Sequence, residues 1–394
     1  MPSFEHSPSN IPSMGLCSIC AQTIKNESAN AECSLCSGLF GNLETLSCMA
    51  IGKAEGYEWS TFSIGCIIPK KILVAQEALW LERGLENSRS IKNAINGAAR
   101  EYILSKTAKK YSSRASDVLF LLDFERNSVS AQISPIFVFS HYKKYARDIS
   151  QSIWHCKKCA GNGRLGGRGD EKICICEKCN GKGVMYESVE GIIGAPIRRA
   201  FEGEETAFHA SGREDIDAVM RGSGRPFAIE VKNPRKRKAD MHALQKEINR
   251  DVRIRVPSLS TVSQHFVKVV CSSHFEKEYE AEVSLEREIA KSDFKKILSL
   301  SGKTIWQQTP TRVLHRRADL QRKRKIISIS AKGKGKKLTL RIRAQAGTYI
   351  KELVSSDSGR TKPSISGILG CKAIVEKLDV VKIHDEFLRR VSKK

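Results

Sequence analysis

The sequence predicts an α+β protein, with a mixed or antiparallel sheet in the C-terminal half preceded by a zinc-binding α/β region. Three observations carry this reading. From Val252 onward, strand-like and helix-like segments mix without the βαβ rhythm of a parallel sheet. Eight of the thirteen cysteines fall into four Cys-x-x-Cys pairs, a spacing that suits structural zinc better than disulfides. At 394 residues, 40% of them hydrophobic, the chain has room for two or three domains with ordinary cores.

Met1 to Asn10 are polar and rich in Pro and Ser, and are expected to be mobile. Cys17, Cys20, Cys33 and Cys36 then form a first quartet, with twelve residues between its pairs, and Cys156, Cys159, Cys176 and Cys179 form a second, with sixteen. Each Cys-x-x-Cys turn aims two thiolates at one point, and a second turn closes a four-sulfur tetrahedron with no open position for water. One or two structural zinc ions, and no catalytic metal, are therefore expected. The second quartet repeats Cys-x-x-Cys-x-Gly-x-Gly, which resembles the zinc module of J-domain chaperones. That module carries four repeats behind a J-domain; two repeats without one make a single ribbon the simpler reading. Cys174 is close enough in sequence to replace Cys176 as a ligand. Cys48, Cys66, Cys271 and Cys371 read as small core residues.

Between the quartets, apolar runs at Phe62–Ile68 and Val118–Phe124 flank helix-like stretches around Gln76–Leu85 and Ile91–Ile103, a small α/β domain. Val189 to Ala200 reads as a short helix after the ribbon. Gly222 to Phe227 reads as a glycine-rich turn feeding a half-buried strand, Phe227 to Val231. Val252, Ile254 and Val256 alternate with charged residues, Phe266 to Cys271 is rich in β-formers, and apolar residues approach helical spacing from Arg287 to Leu298. Ile326–Ser330 and Leu338–Arg343 read as a hairpin whose tip, Lys332 to Lys337, is basic and glycine-rich, which suits a phosphate backbone.

Sixty-seven Lys and Arg against 43 Asp and Glu leave a net charge of +24. Such an excess draws phosphate polymers through counterion release, so nucleic acid is the expected partner. No apolar stretch is long enough to span a bilayer, and the N-terminus has no secretory-signal pattern, so a cytoplasmic location and no membrane are expected. No phosphate-binding Gly-Lys-Thr/Ser loop or dinucleotide fingerprint appears, which speaks against nucleotide-driven catalysis.

The chemistry concentrates in four segments. Gly212-Arg213-Glu214-Asp215 lies in the longer run His209 to Asp217; Gly222 to Phe227 follows it; then come Lys277-Glu278-Tyr279-Glu280-Ala281 and Ala346-Gly347-Thr348-Tyr349-Ile350-Lys351-Glu352-Leu353. In this order they resemble the catalytic domain of pseudouridine synthases. Gln308 to Arg317, Asp357 to Gly367, Tyr142-Lys143-Lys144 and Ser150-Gln151 narrow the resemblance to the archaeal-type, THUMP-containing family that modifies the T arm of tRNA.

The resemblance implies a tRNA pseudouridine synthase that isomerises uridine 55, and also 54, in the T loop, with no cofactor for catalysis. It implies Asp215 as nucleophile or base, with Asp217 as the backup carboxylate. Arg213 fills the gap left by the extruded nucleotide and balances charge, Tyr279 stacks on the uracil, and Tyr349 borders the pocket. Lys351 pairs with Asp215, standing where the bacterial T-loop enzymes have arginine, and Leu353 lies over the base. The expected layout is an N-terminal zinc knuckle (1–55), a THUMP-like RNA-binding domain for the acceptor end (56–150), a zinc ribbon (151–185) and the catalytic domain (186–394), with no obligate protein partner. The alternative is a zinc-ribbon RNA-binding protein without catalysis.

Overall fold

The computed structural model describes residues 15–22, 33–84, 88–166 and 173–391. The expected mobile segment Met1–Asn10, Leu85 and residues 167–172 between the ribbon's two cysteine pairs lie outside the described residues. The chain divides into two compact units, Met1–Pro135 with Asn233–Arg237, and Ile136–Lys232 with Lys238–Lys394. Among the described residues, no helix is long and apolar enough to cross a membrane.

The first unit is α/β. Helix α1 (Leu43–Lys53), strand β1 (Thr61–Ile67), helix α2 (Ile91–Lys106), strand β2 (Val118–Asp123) and strand β3 (Ser128–Ile133) form it, together with the helix Lys70–Arg83. β1 runs parallel to both β2 and the short strand Lys110–Tyr111, and β3 closes the sheet antiparallel to β2. α2 forms because Ser90 caps it, accepting from the amide of Asn93, and because Ile91, Ala94, Ile95, Ala99 and Ile103 recur at helical spacing and are all buried. They meet the aromatic face of the sheet, where Trp59, Phe62 and Phe120 pack edge-on or tilted.

The second unit is a mixed sheet, eleven strands among the described residues. Its main members are β4 (Ile136–Lys144), β5 (Glu205–Ala210), β6 (Val219–Lys232), β7 (Lys277–Leu285), β8 (Thr304–Gln308), β9 (Gln321–Lys334), β10 (Lys337–Ala344) and β11 (Ala373–Ile383). They run in the order β4-β6-β11-β7-β10-β9-β8, with β5 paired to β6; all these pairings are antiparallel except β6 with β11. The α+β expectation holds.

Several local expectations are corrected. Gly222 to Phe227 is no turn but the middle of β6, a strand kinked where Gly222 adopts φ +56° and passes so close to β11 that a β-carbon would stand 1.8 Å from the carbonyl oxygen of Val381. Phe227 to Val231 is buried almost throughout rather than on one face, because β6 is central and covered on both sides. Phe266 to Cys271 lies in a helix, α3 (Gln264–Ser272): Ser263 caps it, and Phe266, Val267 and Val270 share its buried face, so tertiary packing overrides β propensity. Val252 is exposed, with pairing beginning only at Ile254. Cys48 and Cys271 are exposed and so are not core residues, whereas Cys66 and Cys371 are half-buried and pack against the two cores.

The hairpin at β9 and β10 forms as read and is longer. Pairing extends to Lys334 and Lys337, leaving the two-residue turn Gly335-Lys336. Gly335 alone has positive φ, the requirement of the first central position of a type II′ turn.

Candidate active site

Asp215 sits on the loop between β5 and β6, and the second unit is organised to hold that loop still. Side chains from the end of β4 and the segment after it reach its carbonyls one after another. Gln151 donates to the carbonyl of Gly212 at 3.0 Å. The buried Lys144 donates to the carbonyls of Asp215 and Ile216 at 3.3 and 2.9 Å, and Arg147 to that of Asp217 at 2.9 Å. From β6, Arg225 donates to the carbonyl of Ser211 at 2.8 Å.

Glu214, the residue before Asp215, anchors the loop from beneath. Its carboxylate accepts from the Tyr142 hydroxyl at 2.8 Å and pairs with Arg225 Nε at 2.8 Å, both charged side chains being only 1% exposed. Burial pushes the Tyr142 phenol up, and the Glu214 charge adds to it. Burial works against the charge on Arg225, yet Glu214, with Tyr142 and Tyr279, more than offsets it and raises the guanidinium. A charge pair this dry specifies one conformation of the loop, because moving Glu214 would strand both ions.

The Asp215 carboxylate is half-buried. Arg312, from the short 3-10 helix Thr311–Arg316, donates from Nη1 to Asp215 Oδ1 at 2.9 Å and from Nε to Glu352 at 2.7 Å. Burial lowers the Arg312 pKa, but Glu352 and then Asp215 more than reverse it. Lys351, the expected partner, stands 3.8 Å from Asp215 and contacts Asp217 at 2.7 Å. Burial raises the Asp217 carboxyl, but Lys351 prevails and holds it below the usual range.

The remaining candidates separate. Tyr279, on β7, and Tyr349 both line a cavity of 380 Å³ that also includes Asp215. Burial pushes the Tyr279 phenol up to about 12. The backbone of Tyr349 is pinned by the amide of Gln307 at 2.9 Å in each direction, and its hydroxyl accepts from Arg317. Arg213 turns toward the ribbon, its guanidinium 5.5 Å from the Trp154 ring centre. Leu353 departs from expectation: in the helix α4 (Ile350–Ser355) it points into the core, fully buried, while Ile350 faces the cavity. Arg317, Arg322 and Arg324 complete a strongly cationic wall suited to phosphate oxygens.

Sequence reasoning did not assign Arg312, Lys144, Gln151 or Glu214 a role. The signal was present in the Tyr142-Lys143-Lys144, Ser150-Gln151 and Gln308–Arg312 segments, which spacing alone could not connect to a loop sixty residues away or more.

The two cysteine quartets gather as their spacing predicts, each with its sulfurs within 4.8 Å of one another. A zinc–sulfur bond of about 2.3 Å implies tetrahedral edges near 3.8 Å. Cys156 to Cys176 is 3.8 Å, Cys159 to Cys179 is 3.7 Å, and Cys17 to Cys36 is 3.7 Å. The donor sets therefore fit zinc, with Cys176 as the ligand; Cys174 is exposed and outside the cluster. The glycines of the repeat have a physical reason. Gly163 and Gly183 donate their amides to Cys159 and Cys179 sulfurs at 3.2 and 3.3 Å, and a β-carbon on either would stand 2.1 Å from a carbonyl of the other knuckle.

Comparison with known proteins identifies the family. Residues 137–384 match the family described as Pus10, C-terminal, and residues 47–123 match the Pus10 THUMP domain, archaeal. A protein of Methanothrix thermoacetophila is 36% identical over 365 residues, covering 91% of this chain and 78% of that one. One of Archaeoglobus fulgidus is 35% identical over 373 residues, covering 94% and 100%. Both are named tRNA pseudouridine synthase Pus10. A chain from a Cbf5-Nop10-Gar1 complex matches at 13% identity with a TM-score of 0.32, covering 62% of this chain and 58% of that one, a likeness on which nothing rests. Because the match runs through both the THUMP segment and the domain that carries the Asp215 loop, the chain belongs to the Pus10 family.

Proposed function

We propose that this protein converts uridine to pseudouridine in tRNA, acting at position 55 of the T loop and also at position 54, with Asp215 as the catalytic carboxylate. The observation that carries the reading is the placement of Asp215: a carboxylate held by Arg312 at the wall of a cationic cavity, on a loop whose carbonyls are pinned from several sides. Relatives named for this activity match along nearly the whole chain.

The isomerisation breaks the bond from N1 to C1′, turns the uracil, and joins C5 to the same C1′. No atom enters or leaves, so a carboxylate beside the sugar is sufficient and no cofactor is needed. Asp215 acts on C1′ as a nucleophile or takes a proton from the sugar as a base. Arg312 orients its carboxylate. Tyr279 offers a ring for the uracil, and Arg213 is available to occupy the gap left by the extruded nucleotide. The arginine wall meets the flanking phosphates. Zinc, when bound at the two quartets, supplies cross-links that hold the folds. The THUMP segment contacts the acceptor end, and the protein works in the cytoplasm.

The test is incubation with an unmodified tRNA transcript without cofactor, followed by carbodiimide mapping of pseudouridine by primer extension. Stops at 54 and 55 are expected. A stop at 55 alone removes position 54 from the reading, and tight tRNA binding without any stop overturns it in favour of a binding protein.

A further inference from the structure

Lys277 is a buried cation that the reaction described above leaves unused. It lies on β7 two residues before Tyr279, so both side chains leave the same face of the sheet, and both line the catalytic cavity. Its amine donates to the carbonyl of Phe275 at 3.1 Å, its one hydrogen bond among the described residues, and no carboxylate there pairs with it. A β-carbon on Gly212, at the head of the Asp215 loop, would stand 3.8 Å from this nitrogen and 3.0 Å from Nη1 of Arg225. The amine therefore reaches the loop that carries the reacting carboxylate. An unpaired buried ammonium beside a guanidinium is expensive to keep unless it is used. Burial first, and Arg225 second, bring this amine down to about 8, where the free base is accessible near neutral pH.

The reaction needs such a base in its second half. Once C5 has bonded to C1′, C5 is tetrahedral and still carries its hydrogen. That proton must leave; the C–H pair then closes the C5–C6 double bond, the C6–N1 double-bond pair moves onto N1, and N1 takes up a proton. The other groups of the cavity are poorly suited. Asp215 faces the sugar and pairs with Arg312, and Glu214 is locked between Arg225 and Tyr142. Tyr279 stays protonated, its phenol pushed up to about 12 by burial. The arginines cannot give up a proton. Of the other groups lining the cavity, Lys351 is spent on Asp217 at 2.7 Å, burial pushes the Cys271 thiol up, and the Tyr349 hydroxyl accepts from Arg317. His274, exposed on the cavity's edge with Nδ1 2.7 Å from the carbonyl of Ser272, is the remaining competitor.

We infer that Lys277 is the base that removes the C5 proton, and that its ammonium then supplies the proton that N1 takes up, so that protons balance over the cycle. This rests on the uridine-isomerisation reading. A purely structural lysine would not change which step limits the rate, and that difference can be measured.

The experiment compares tRNA transcripts carrying uridine or [5-2H]uridine, with wild type, Lys277→Met, Lys277→Arg and His274→Ala. Lys277→Met is expected to lose about 10²- to 10³-fold in kcat, to reveal a primary deuterium isotope effect absent from the wild type, and to recover partly with added methylamine. Lys277→Arg, which keeps charge and bulk, should be as slow. A melting temperature no lower than that of wild type, with unchanged tRNA affinity, establishes that the variants fold. Slowing without an isotope effect or amine rescue, full activity in Lys277→Arg, or the isotope effect appearing in His274→Ala instead, would each overturn the inference. If wild type makes no pseudouridine, it is the isomerisation reading that fails; if wild type is active and Lys277→Met equally so, only the role of Lys277 does.

Discussion

Arg312 Nη1 lies 2.9 Å from Asp215 Oδ1, whereas Lys351 Nζ lies 3.8 Å from the same carboxylate and spends its charge on Asp217 at 2.7 Å. The guanidinium also reaches Glu352 at 2.7 Å, so one planar fork fixes two carboxylates from different elements. Lys351 becomes a secondary charge, and Asp217 a group that orients it.

Arg312→Ala should therefore lower the single-turnover rate more than Lys351→Ala. A hydrogen bond between charged groups is worth about 1.5–3 kcal/mol, or roughly 10- to 100-fold. Arg312→Lys should recover only part of the loss, because a lysine keeps the charge but not the fork. Rapid-quench assays on a tRNA transcript measure this; a larger loss in Lys351→Ala would reverse the assignment.

The pair of Glu214 and Arg225 predicts a stability effect independent of catalysis. Glu214→Ala leaves a buried guanidinium without its carboxylate and should destabilise the protein by about 3–5 kcal/mol in urea denaturation. Glu214→Leu combined with Arg225→Met should cost clearly less than the sum of the single changes. Simple additivity would mean that the two charges do not depend on each other.

Much of the molecule is legible in sequence, and what is not has a physical reason. The zinc quartets, the helix from Ile91 and the hairpin at Gly335 follow from local spacing, which local forces largely decide. Helix α3 and the kinked centre of β6 do not, since each is settled by what lies across the sheet: Phe266 by the core it enters, Gly222 by the carbonyl of Val381. The site divides the same way. Asp215, Tyr279 and Tyr349 stand in recognisable motifs, whereas Arg312 and Lys144 act at long sequence separation on a loop that their own segments do not announce.

Lys277 gives a pH prediction with a definite sign. Folded, its amine gives up its proton near 8; unfolded, near its ordinary 10.5. Between these values the unfolded chain binds more protons, so the lysine's contribution to stability rises with pH, by up to about 3 kcal/mol. Arg225 keeps its charge throughout, and Tyr279 enters only near the top of this window. The difference in denaturation free energy between wild type and Lys277→Met should thus grow in the wild type's favour from pH 8 to 10; a flat difference would refute a depressed lysine.

Zinc content should fall in whole steps. Metal analysis of freshly purified protein should find two zinc per chain, one after Cys176→Ser, and still two after Cys174→Ser. Loss of zinc in the Cys174 variant would contradict the ligand set.

The most direct test of the whole account replaces one atom group. Asp215→Asn keeps the shape of the side chain and its contact with Arg312 while removing the charge, and is assayed for pseudouridine in an unmodified tRNA transcript alongside a tRNA-binding measurement. The account predicts that wild type forms pseudouridine in the T loop, and that the variant binds tRNA with similar affinity but forms none. Pseudouridine at wild-type yield from Asp215→Asn would contradict it.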